Sequence, residues 1–155
     1  MSRIVSFRGL IADKTEDMIP LSTIRGGKGY RIVKFILFPE FIGSNVAGSE
    51  YESLVQIFKT PQTTAISGIS TDFNNNRLLA AATYFSEVSG SPAYVIGSNT
   101  DVVFDNETFN QDIYVIHENF HGDNAAINYY IELEQRDLGM DESTVATLKD
   151  IKNND

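Results

Sequence analysis

Short apolar runs separated by turn-forming residues constrain this chain more than any other feature. The runs cover residues 4–12, 30–38, 51–60, 78–85, 93–96, 112–117 and 125–135, with weaker ones at 18–21 and 101–104. Between them stand Gly26-Gly27-Lys28-Gly29, Gly43-Ser44-Asn45, Thr60-Pro61-Gln62, Asn74-Asn75-Asn76, Ser89-Gly90-Ser91-Pro92 and Gly97-Ser98-Asn99, residues that accept positive φ or hydrogen-bond their own backbone. Runs of strand length at this spacing are what a β-sandwich or barrel produces. No repeat of ~20 to 50 residues recurs, which excludes stacked-repeat architectures.

Alternation along the runs assigns their faces. Ile127, Tyr129, Ile131 and Leu133 point one way, and Asn128, Tyr130, Glu132 and Glu134 the other, so this strand buries one face only. The run 30–38 differs, because Val33, Phe35 and Leu37 on one side and Ile32, Ile36 and Phe38 on the other are all apolar, broken by Arg31 and Lys34. A strand of that kind is covered on both faces, at the centre of a sandwich or at a subunit contact. Arg31, Val33, Phe35 and Leu37 are therefore candidate interface residues. One helix is expected, from an Asp141 cap to Lys152, with Glu142 in its first turn and Lys149 and Lys152 in its last. Val145, Leu148 and Ile151 recur every third residue as a narrow apolar stripe, which either packs on its own domain or docks on a neighbouring subunit. They complete the candidate interface. The expected fold is an all-β sandwich or jelly-roll-like antiparallel barrel of at least seven strands with a short C-terminal helix, one domain over residues 1–155.

Composition narrows the function. With 155 residues the chain suits a single core, and it carries no Cys, which removes thiol nucleophiles, disulfides and thiolate metal sites. Its 12 Lys and Arg against 21 Asp and Glu give a net charge of −9, the wrong sign for nonspecific phosphate neutralisation, so no direct nucleic-acid partner is expected. Arg3 and Arg8 interrupt the first apolar residues, and no signal-peptide core or membrane span is expected. Charge is divided unevenly, with residues 1–77 at +2 and residues 78–155 at −11. One reading is solvated loops. A sharper one is that the acidic half meets the Arg3, Arg8, Arg25, Lys28, Arg31 and Lys34 set of a neighbour, or another protein.

Several strings look like chemistry and fail on context. His117-Glu118-Asn119-Phe120-His121 matches the H-E-x-x-H pattern of zinc metalloproteases, which needs both His on one helix face. Here the string follows a strand and precedes Gly122-Asp123-Asn124, so it is read as the end and tip of a β-hairpin without metal chemistry. Asp72, Asn74 and Asn76 resemble the start of a calcium loop, yet Arg77 and Thr83 occupy the positions of the required Gly and Glu, leaving an Asx-rich turn. The Gly26–Gly29 string lacks P-loop spacing and precedes a strand, as a mobile or partner-contacting loop does. Glu132 and Glu134 share a strand face at glycosidase-like separation, but alternating Glu on an exposed face explains them. Asn106-Glu107-Thr108 is read as a chance glycosylation triplet. Tyr84, Phe85, Tyr94, Tyr129 and Tyr130 are expected in the core or in cross-strand pairs, with sugar stacking as the alternative. No catalytic residue, metal or cofactor is expected.

The C-terminal third supplies a resemblance. Phe109-Asn110-Gln111-Asp112-Ile113-Tyr114-Val115, then Ile127-Asn128-Tyr129-Tyr130-Ile131-Glu132-Leu133-Glu134, then Thr144-Val145-Ala146-Thr147-Leu148-Lys149-Asp150-Ile151, resembles the ending of small virion structural proteins of marine bacterial viruses. The resemblance implies a β-rich capsid or capsid-associated protein and supplies no site residues. The expectation is a non-enzymatic subunit located in the virion, whose partners are copies of itself and other virion proteins. The alternative is a carbohydrate- or receptor-binding β-sandwich of a fibre or adhesin.

Overall fold

The computed structural model of the protein describes residues 2–40, 50–62, 66–89, 94–104, 108–120 and 125–152. They form eight strands, β1 (Ser2–Ile11), β2 (Thr15–Ile19), β3 (Lys28–Pro39), β4 (Glu50–Phe58), β5 (Leu78–Ser89), β6 (Tyr94–Val103), β7 (Ile113–Asn119) and β8 (Ile127–Asp137), followed by helix α1 (Met140–Lys152). The strands make two antiparallel sheets, a three-stranded one in the order β1-β8-β3 and a five-stranded one in the order β2-β7-β4-β5-β6. Pairing of first with eighth, second with seventh and fourth with fifth is the double Greek-key order of a jelly roll. β6 completes the larger sheet beside β5 and also lies against β3. The molecule is the expected all-β sandwich with one short terminal helix.

Alternation builds the core. Ile127, Tyr129, Ile131 and Leu133 of β8 face inward, as do Val55 and Ile57 of β4 and Ile113 and Val115 of β7. The apolar strand β3 departs from simple alternation. A register shift between Ile32 and Lys34 inserts Val33 as an extra residue, a β-bulge that exchanges the faces of everything after it. Ile32, Phe35 and Leu37 consequently share the inner face, while Val33, Ile36 and Phe38 face outward. The expected grouping of Val33 with Phe35 and Leu37 is corrected on this point.

Three other expectations change. Residues 94–96 and 101–103 of two expected runs belong to the single strand β6, in which Gly97 and Ser98 stay extended opposite Ser86 and Phe85, because ladder pairing outweighs their turn propensity. β7 and β8 do not form a hairpin; they lie in different sheets. Helix α1 begins before Asp141: the Ser143 amide donates to the Gly139 carbonyl (2.9 Å), which makes Gly139 the cap. Asp141 sits inside the first turn, and its side chain lies outside those described. The turns 43–45 and 90–92, residue 93, the triplet residues 106 and 107, and residues 121–124 also lie outside the described residues.

The helix is held by polar groups. Asn110, fully buried, donates through Nδ2 to the Gly26 carbonyl (3.1 Å), the Ser143 carbonyl (3.3 Å) and Thr147 Oγ1 (2.7 Å). Asp150 accepts the Asn110 amide (3.1 Å) and faces Lys59 Nζ at 3.5 Å, both side chains being almost fully buried. Burial raises the Asp150 carboxyl above its ordinary range against the pull of the Asn110 amide and Lys59. Gly26 is required here: its φ is +61°, and a Cβ would stand 2.7 Å from Asn110 Nδ2. The Gly26–Gly29 string is thus tied to its surroundings, with the Leu138 amide donating to the Gly27 carbonyl (2.9 Å), rather than mobile.

Candidate interaction surface

The two sheets treat their outer faces differently. On the five-stranded sheet, Phe58, Leu78 and Ile116 form a second apolar cluster with Ile66, Ile69 and Phe104. Polar side chains pin the β4–β5 connection over this cluster. Gln56 Nε2 donates to the Ser70 carbonyl and Thr71 Oγ1 (3.0 Å each), and the Glu118 carboxylate accepts the Gly68 and Ile69 amides (2.9 Å each). On the three-stranded sheet no described segment lies over Leu10, Ile36 and Phe38, which are 50%, 40% and 56% exposed.

Register places those residues together. Leu10, Asn128 and Phe38 form one row across β1, β8 and β3, and Arg8, Tyr130 and Ile36 the next. The six line a shallow depression of about 540 Å³. The following rows are charged: Ser6, Glu132 and Lys34, then Ile4, Glu134 and Arg31. Tyr130 donates its hydroxyl to Glu132 (2.9 Å) and leads from the apolar end to the charged one. Arg31 grips Glu134 through Nε and Nη2 at 3.2 Å each, which holds the Glu134 carboxyl below its ordinary range. Arg8 makes no ion pair among the described residues.

The structure separates the candidate interface residues. Arg31 and Val33 lie on the outer face of the three-stranded sheet, whereas Phe35 and Leu37 are 1% and 2% exposed and belong to the core, so they are corrected from interface to core residues. Val145 and Leu148 point outward from α1 at 65% and 61% exposed. Ser143, Ala146 and Asp150 occupy the helix's inner face instead, so its apolar stripe is its outer one. The Ile151 side chain lies outside those described. Sequence reasoning missed Leu10, which falls at an exposed position of an apolar run; Arg8 was foreseen only as one of a basic set and Tyr130 only as a member of the outward face of its strand, and the row that joins them is set by pairing across the sheet.

The charge division is met inside the molecule. Basic β1 and β3 flank acidic β8, where Arg31 pairs with Glu134, Lys28 with Asp137, and Arg3 donates to Gln135. Lys28 and Arg31 therefore find opposite charges within their own chain.

The motifs with apparent chemistry resolve into structural roles. His117 and Glu118 lie on a strand, β7, and not on the helix that the zinc motif needs, and their side chains point to opposite faces of the sheet; His121 lies outside the described residues. The buried His117 has Nδ1 3.2 Å from the Ile11 and Ala12 carbonyls, so Nδ1 bears the proton, and Nε2 accepts from Ser53 Oγ at 3.1 Å. These contacts fasten the corner between β1 and β2, where Lys14 adopts φ +57° and Asp13 accepts the Asn119 amide (2.6 Å). Burial holds His117 below its usual value of 6.5, against upward pulls from the Ala12 and Ile11 carbonyls, Asp13 and Glu118. Asp72 accepts the Asn74 amide and Asn75 the Arg77 amide, a pair of Asx turns. Tyr129 is a core residue whose hydroxyl donates to Asp17 (3.2 Å); burial and that carboxylate push it up to about 12. Tyr84 meets Tyr51 edge-to-face at 6.2 Å. Among the described residues no three His, Asp or Glu side chains gather as metal ligands, and no helix is long and apolar enough to cross a membrane. The chain matches no protein-family model and no curated protein sequence.

Proposed function

We propose that the protein is a non-enzymatic structural subunit that assembles as repeated copies in or on a bacteriophage capsid. The observation that carries this reading is the uncovered apolar patch of Leu10, Ile36 and Phe38 on a domain that covers its other sheet with its own chain. Contiguous exposed apolar surface of this kind marks interaction sites. The jelly-roll strand order supports the reading, because that architecture recurs in viral shells, although it also serves lectins and so does not carry the reading alone. Electron microscopy and light scattering of the purified protein, with sedimentation alongside phage particles, test it. Symmetric particles or particle-bound copies are expected; a chain that stays monomeric at high concentration and never co-sediments with phage overturns it.

A second reading is a glycan- or receptor-binding β-sandwich. It is favoured by the grouping in one depression of Arg8 and Asn128, which can bond hydroxyl or carboxylate groups, with the rings of Phe38 and Tyr130, which can stack on a sugar. Saturable binding of a glycan by the monomer, abolished in Tyr130→Ala, would establish it in place of the first.

A further inference from the structure

We propose that the outward stripe of α1 on one copy of this chain docks into the apolar depression of the three-stranded sheet on the next, a head-to-tail contact between identical chains. The inference rests on the reading of the protein as a self-assembling subunit and specifies how its copies meet. Two apolar surfaces lie bare on one molecule, one flat and one helical. Their shapes match: the ~10 Å between β1 and β3, at ~4.8 Å per strand spacing, equals the width of a helix, and helix on sheet is a stable layer arrangement. Val145 and Leu148, three residues apart and so ~4.5 Å along the helix axis, fit between the two rows of the depression, ~7 Å apart along the strands.

Charge decides between this arrangement and a two-fold contact of the depression with itself. The depression contains Arg8 and no acidic side chain. A two-fold contact centred there takes two Arg8 guanidinium groups out of water in a patch whose lining offers no carboxylate, which is unfavourable. The helix instead offers Glu142 one turn before Val145, on a side chain 57% exposed whose one ion pair among the described residues, to Arg136, is a long 3.6 Å; the stripe's cation, Lys149, stands one turn after Val145, at its other end. Arg8 thus has a carboxylate within the partner surface when that surface is α1 and none in the lining when it is another depression.

A head-to-tail contact makes a prediction that a two-fold contact does not. Phe38→Asp spoils only the depression and Leu148→Asp only the stripe, so each variant alone loses self-association by at least ~100-fold, the scale of a buried apolar anchor. Mixed together they form a one-to-one complex, because the first keeps an intact helix and the second an intact depression. Arg8→Glu weakens wild-type association by about tenfold. Sedimentation velocity reads all of these, with circular dichroism and melting curves to verify folding; Phe38→Ser and Leu148→Ser replace any Asp variant that melts early. If wild type associates but the mixture stays monomeric, or either variant still associates like wild type, the helix-to-sheet contact is overturned while self-assembly stands. If wild type never associates, both fall.

Discussion

The outer faces of the two sheets carry similar kinds of residue and meet opposite fates. On the five-stranded sheet, Phe58, Leu78 and Ile116 are buried under the chain's own connection, and the polar Gln56 and Glu118 among them bond its backbone. On the three-stranded sheet, Leu10, Ile36 and Phe38 face water. A single connection between β4 and β5 makes this difference. The comparison teaches that apolar residues on an outer sheet face are not by themselves a sign of partners; what matters is whether the chain supplies a cover with enough polar contacts to hold it. The covered face therefore contributes to folding and the bare one to association, and the two contributions can be separated by substitution.

The largest expected effect lies on the covered side. Phe58→Ala should lower stability by roughly 3 to 5 kcal/mol in urea unfolding, from lost transfer energy and the cavity left behind, without changing the association of the folded fraction. A smaller loss, or an accompanying loss of association, breaks the division between the faces. Next is Glu118→Ala, which leaves the Gly68 and Ile69 amides without their acceptor and should cost about 1 to 3 kcal/mol, with faster amide exchange confined to the cover. Global exchange instead would mean that the cover and the sandwich are one cooperative unit.

The corner that joins the sheets should show itself through pH. Folded His117 resists protonation while the unfolded side chain accepts a proton near its ordinary 6.5, so the unfolded state binds more protons below that value. Stability should fall as the pH drops from about 7.5 to 5.5, and His117→Gln should flatten the slope in that window. An unchanged slope would remove His117 from the account. The smallest stability change belongs to the bare face: Phe38→Ser should stay within about 1 kcal/mol of wild type, since more than half of that side chain is already in water. A loss comparable to Phe58→Ala would show that Phe38 is covered in the folded monomer.

Much of the architecture was legible in the sequence, because β8 alternates cleanly and every described strand contains or overlaps an apolar run. The candidate surface was only half legible. The stripe Val145 and Leu148 was visible as a stripe, but the choice between inward and outward depended on Asn110, Lys59 and Asp150 bonding across the fold, at separations of 40 residues or more. In β3 the residue types were right and the phase was wrong beyond Val33, since a bulge is set by pairing with β8 and leaves no mark in a continuously apolar run. The supposed hairpin failed for the same reason: apolar runs reveal strands, whereas the sheet that each strand joins is decided by long-range packing.

The most direct test of the central claim is hydroxyl-radical footprinting of the wild-type protein as its concentration is raised. Protection of Phe38, Tyr130 and Leu148 should grow as copies associate, while Phe73, equally exposed but on the covered side, keeps its reactivity. Association that leaves Phe38 as reactive as in the dilute monomer would contradict the claim.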